Sequence, residues 1–63
     1  MFIKVQLLDS KEIFINIHHL ISVSPSSNGS TILVSTAPKT MMYKCAENPE
    51  SIIAKVNNRL NNQ

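Results

Sequence analysis

The sequence predicts a mainly β fold of the α+β class: about five short antiparallel strands forming a curled sheet or small barrel, capped by one C-terminal helix. Three observations carry that expectation. Apolar and polar residues alternate through most of residues 2–45, which is the period of half-buried strands. Turn-forming residues interrupt the alternation repeatedly, and from Asn48 onward the apolar period becomes that of a helix. A single domain spanning 1–63 accounts for every residue, with no repeat or linker.

The first strand, about 2–8, places Ile3, Val5 and Leu7 on one side and Phe2, Lys4, Gln6 and Leu8 on the other. Asp9, Ser10 and Lys11 supply a polar turn. The second strand, about 12–17, sets Ile13, Ile15 and Ile17 together with Phe14 opposite, so residues 2–17 read as a hairpin. After the polar step Asn16–His19, Leu20, Ile21 and Val23 resume the pattern over about 20–25, where Pro25, lacking an N–H for a ladder, suits a strand end. Asn28 and Gly29 tolerate positive φ and precede the β-branched run of a strand at about 31–35, giving a second hairpin. Ala37, Pro38 and Lys39 then break the pattern ahead of a fifth strand at about 41–45.

Asn48 followed by Pro49 opens a helix over about 49–60, because asparagine caps free amides and proline at the first helical position loses no needed hydrogen bond. Ile52, Ile53, Val56 and Leu60 recur on one stripe and are expected to seal the sheet. Glu50 near the start and Lys55 and Arg59 near the end complement the helix dipole. Asn57, Asn58, Asn61 and Asn62 are expected to face solvent or fray.

Composition excludes several function classes. Cys45 is the only cysteine, so no disulfide assists the core, and a lone thiol reads as a reduced, cytoplasmic chain. With His18 and His19 it makes too few ligands for a structural zinc site, and adjacent histidines diverge instead of clamping one ion, so no metal or cofactor is expected. Asp9 and Glu12 flank the first turn while Glu47 and Glu50 sit at the helix entrance, positions that turn chemistry and dipole complementarity explain without a catalytic pair. Gly29 is the only glycine, which excludes a glycine-rich phosphate loop. No catalytic residues, and hence no enzyme, are expected. The alternating N-terminus is unlike a leader, and no apolar run is long enough to span a membrane.

Both sides of the alternating strands carry large apolar residues, and one helix covers only one of them. Ordering 63 residues costs about 1.5 kcal/mol each, which the apolar burial of so short a chain only about cancels. The sequence therefore points to a small interaction module that binds a protein partner through Phe2, Phe14, Leu20 and Leu33, and to a two-fold homodimer centred on Phe14. The alternative is a basic RNA-binding dimer in which Tyr43 stacks a base while Lys4, Lys39 and Lys44 hold phosphates. Against it, the net charge is only +2 and the six cations, one of them arginine, are spread along the chain.

The order of elements resembles that of the small flagellar FlbD and swarming-motility protein family. The matching residues are Ile3, Val5 and Leu7, then Leu8-Asp9-Ser10-Lys11-Glu12, Ile15-Asn16 with Leu20, Ile21 and Val23, Thr31 to Val34, Tyr43, and Glu47-Asn48-Pro49-Glu50-Ser51-Ile52-Ile53. Ser10 stands where that family carries glycine. The resemblance implies a non-enzymatic accessory protein, of the kind also encoded by phages and mobile elements. A second, local resemblance joins Thr31-Ile32-Leu33-Val34-Ser35-Thr36-Ala37-Pro38-Lys39 to the CsrA carbon-storage regulators, which are RNA-binding dimers. Val5-Gln6 stands in place of that family's arginine pair.

Overall fold

The structure is a computed structural model that describes residues 1–61. β1 (Phe2–Gln6) and β2 (Glu12–Asn16) form an antiparallel hairpin, with Ile3 opposite Ile15 and Val5 opposite Ile13. Its loop is closed by Leu7 N–H donating to the Lys11 carbonyl (2.7 Å) and Ser10 N–H donating to the Leu7 carbonyl (3.1 Å). Ser10 takes a positive φ of 71°, and the Asp9 carboxylate accepts from Lys11 N–H at 3.1 Å. A single 3-10 turn, Ile17–His19, follows β2 and is capped by the Asn16 side chain, which accepts from His18 N–H (3.0 Å).

β3 (Leu20–Ser26), β4 (Gly29–Thr36) and β5 (Lys39–Cys45) form a three-stranded antiparallel meander. β4 and β5 are longer than the apolar alternation signals, since Ser26 pairs with Gly29 and Thr36 with Lys39, so the ladders run right up to two-residue turns. Ala37-Pro38, one of those turns, contains a cis peptide bond. Pro25 lies within β3 and not at its end; β3 pairs only with β4, and a strand with one free edge tolerates a missing N–H. Ile21 is an extra residue in β3, at a break in register between Leu20 and Ser22.

The five strands do not close into a barrel but make two antiparallel sheets, one of two strands and one of three. The 3-10 turn carries the chain from β2 to β3, so those strands form no ladder. At the opposite corner the sheets meet: Leu7 bridges Cys45, Leu8 N–H donates to the Lys44 carbonyl (3.1 Å), and Ala46 N–H donates to the Gln6 carbonyl (2.9 Å). β1 therefore stops at Gln6, short of the expected residue 8: Leu7 closes the loop and bridges Cys45, and Leu8 turns its N–H to β5.

Between the sheets and α1 (Pro49–Asn61) lies a core of Ile3, Val5, Ile15, Ile17, Ile32, Val34, Cys45 and Ile52. The helix begins as its sequence predicts, with the Asn48 side chain accepting from Ser51 N–H at 2.8 Å. α1 packs against β1 and β3. Its apolar stripe is narrower than expected: Ile52 is fully buried and Val56 partly, but Ile53 and Leu60 remain exposed. A helix turns about 100° per residue, so a stripe centred on Ile52 holds Lys55 and Val56 on its flanks and leaves Ile53 and Leu60 at its margin. Burial of a side chain such as Ile52 contributes about 1.5–3 kcal/mol. Asn57, Asn58 and Asn61 are exposed, and Asn62 lies outside the described residues.

Candidate functional site

The outer face of the β1–β2 hairpin gathers aromatic and charged side chains. Strand alternation puts Phe2, Lys4 and Gln6 there from β1, and Glu12, Phe14 and Asn16 from β2. Phe14 is 70% exposed and Phe2 52%, and they sit diagonally across the ladder, since Phe14 faces Lys4 and Phe2 faces Asn16. Lys4 pairs loosely with Glu12 at 3.8 Å, both side chains being exposed, so this contact adds little stability. A depression of about 350 Å³ between the two phenylalanines and the helix is lined also by Lys55 and Arg59.

The backbone of the hairpin matters as much as its side chains. Leu7 donates to Lys11 and Ile17 to Met1 (3.0 Å), so the odd-numbered pairs, Ile3 with Ile15 and Val5 with Ile13, exchange the hydrogen bonds between the strands. The even-numbered residues turn their N–H and carbonyl groups outward. On β1 those groups are taken up: the Phe2 carbonyl accepts from Arg59 Nε (3.1 Å), the Lys4 carbonyl from Lys55 Nζ (2.8 Å), and Gln6 N–H donates to the Glu47 carboxylate (3.1 Å). On β2 the outward N–H and carbonyl of Phe14 have no partner among the described residues. Beside this open edge runs a groove of about 430 Å³ whose walls include Phe14, Ile13, Ile15, Val34 and Tyr43.

Glu47 ties the other edge of β1 to the helix. Its carboxylate accepts from Lys55 Nζ (2.6 Å), from the Ser51 hydroxyl (3.0 Å) and from Gln6 N–H, while the Ser30 hydroxyl donates to its carbonyl (2.8 Å). Burial alone would raise its pKa; the bonds from Lys55, Gln6 and Ser51, with the Lys55 charge, outweigh that and hold the carboxyl below its ordinary value. Cys45 is buried beside this cluster, and burial followed by the Glu47 charge pushes its thiol up, away from the reactive thiolate. Among the described residues no three of His, Cys, Asp and Glu gather as metal ligands.

The residues that the sequence singles out for partner binding are divided by the fold. Phe2 and Phe14 come together. Leu20 lies opposite Val34 and packs, half-buried, against the core, because the register places it on the inner side of the meander. Leu33 is on the meander's outer face opposite Met42, away from the phenylalanines. Met42, 59% exposed opposite the half-buried Leu33, is an apolar residue of that face that the sequence reading missed; parity counted back from Cys45 places it there. Nor are the four RNA candidates brought to one surface. Lys4 is on the hairpin, Lys39 begins β5, and Tyr43 and Lys44 point to opposite faces of that strand, with Tyr43 against the core. No family model, curated protein or solved structure matches the chain.

Proposed function

We propose that the protein is a non-enzymatic interaction module that binds a protein partner through the outer face and edge of the β1–β2 hairpin, with Phe2 and Phe14 as anchors. The observation that carries this reading is the exposure of two aromatic side chains on one small face, beside a strand whose outward backbone groups at Phe14 are unpaired among the described residues. Aromatic residues left in water contribute little to the fold and much to a contact that buries them. Burial pushes the Cys45 thiol up, away from the reactive thiolate, so the only cysteine is a poor nucleophile.

Two measurements test it together. The double substitution Phe2→Ser with Phe14→Ser is expected to keep a cooperative melt, because neither ring belongs to the core. A photoreactive benzoylphenylalanine in place of Phe14 is expected to crosslink to protein, whereas the same group in place of Ser35, exposed on the meander, is not. Loss of folding in the double variant, or equal crosslinking from both positions, overturns the proposal.

A further inference from the structure

We infer that the partner seated on this edge is a second copy of the chain, its β2 paired antiparallel with β2 about a two-fold axis at Phe14, so that two hairpins become one four-stranded sheet. The inference rests on the reading of the hairpin as the contact surface. Its ground is the parity of the backbone: Ile13 and Ile15 are bonded to β1, while the N–H and carbonyl of Phe14 point away from it. A two-fold axis at Phe14 lets the two copies of that residue exchange both hydrogen bonds, the closely bonded arrangement of an antiparallel ladder. Glu12 then faces Asn16 of the second copy, so no like charges are opposed. On the outer face the two Phe14 rings become cross-strand neighbours. On the inner face Ile13 and Ile15 meet their counterparts and extend the apolar wall of the groove that holds Val34 and Tyr43.

The other edges are less suited to self-pairing. β3 carries Pro25 and the irregularity at Ile21, both of which interrupt a ladder. On β5 the outward groups belong to the even residues, as the Lys44 carbonyl, taken by Leu8, shows. An axis at Met42 would bring Thr40 against that occupied carbonyl, and an axis at Thr40 would bring Met42 against Pro38, which has no N–H. β2 is short, and Asn16 at its end caps the 3-10 turn, but the strand carries no proline and no break in register, and pairing on a single edge about a two-fold axis gives a closed dimer instead of a fibre.

Proline at position 14 is the discriminating change, because the N–H it removes is the outward one and the ladder to β1 is untouched. Light scattering on the purified parent at micromolar concentration is expected to give twice the chain mass of 7.0 kDa. Phe14→Pro should keep a cooperative melt yet scatter as a 7.0 kDa monomer, and Phe14→Leu, which retains the N–H, should remain a dimer. If Phe14→Pro fails to fold, amide hydrogen exchange decides: the Phe14 N–H of the parent is expected to exchange more slowly as concentration rises, and concentration-independent fast exchange overturns the inference. A monomeric parent overturns the second copy as partner while leaving the crosslinking test to judge the hairpin surface separately. A Phe14→Pro variant that stays fully dimeric overturns the β2 edge.

Discussion

Ser10 and Gly29 both hold a positive φ, 71° and 148°, and they invite opposite substitutions. Ser10 closes a hairpin loop in the left-handed region, where a Cβ costs about 1–2 kcal/mol and glycine costs nothing sterically. Ser10→Gly is therefore expected to stabilise the fold by up to about 1 kcal/mol, after the greater unfolded-state entropy of glycine is subtracted. At Gly29 an added Cβ would strike the Cys45 carbonyl oxygen and lie 2.9 Å from the Ala46 carbonyl carbon, both of them backbone atoms with little room to move. Gly29→Ala should cost about 1–3 kcal/mol or more. Urea unfolding of the two variants checks the pair, and shifts of the same sign would contradict the account. Gly29 was legible from its place after Asn28, although the structure puts the positive φ on the glycine alone. Ser10 was read only as part of a polar turn, since nothing about serine itself announces a left-handed backbone.

Among the elements, the joint of β1, the end of β5 and α1 depends on Glu47 and is the part that responds to acid. A carboxyl whose folded pKa lies below its unfolded one contributes stability above the unfolded value, near 4.5, and gives it up as pH falls through the lower folded value. The parent should thus lose stability on acidification through that window. Glu47→Gln should be less stable than the parent near neutrality and approach it as pH falls. Thermal melts of both chains from about pH 7 to about pH 3 measure this, and a gap that stays constant or widens would refute it. The sequence places Glu47 at the helix entrance and explains it by the dipole. Its grip on Gln6 N–H could not be read there, because side-chain periodicity says which face a residue takes, not which strand end arrives beside it. Ser30 was hidden for a related reason: a serine next to Asn28-Gly29 reads as turn, yet it is buried in β4 with its hydroxyl bonded to Glu47. The cap of Asn48 on α1, by contrast, is a local interaction and was fully legible.

For the molecule as a whole, a net charge of +2 divided among separate faces argues against a phosphate-binding track. Single-stranded RNA is expected to show no salt-dependent binding at moderate ionic strength, and Lys4→Glu, Lys39→Glu and Lys44→Glu should change nothing in a gel-shift assay. Binding that falls steeply with salt and disappears in those variants would restore the RNA alternative. Fold class, both hairpins and the helix were legible because each rests on local periodicity and turn chemistry. Whether the sheet closes was not, since it depends on how the 3-10 turn at 17–19 redirects the chain between two sheets. The same layout has a bearing on time. Each hairpin joins neighbouring segments and can form early, but the corner links Gln6 to Glu47, 41 positions along the chain. Closing so long a loop costs entropy before any contact returns it, so this corner, with the helix contacts of Lys55 to Lys4 and Arg59 to Phe2, is expected to form after the hairpins. Weakening that corner, as Glu47→Gln does, is expected to speed unfolding more than it slows refolding, which stopped-flow measurement of both rates checks.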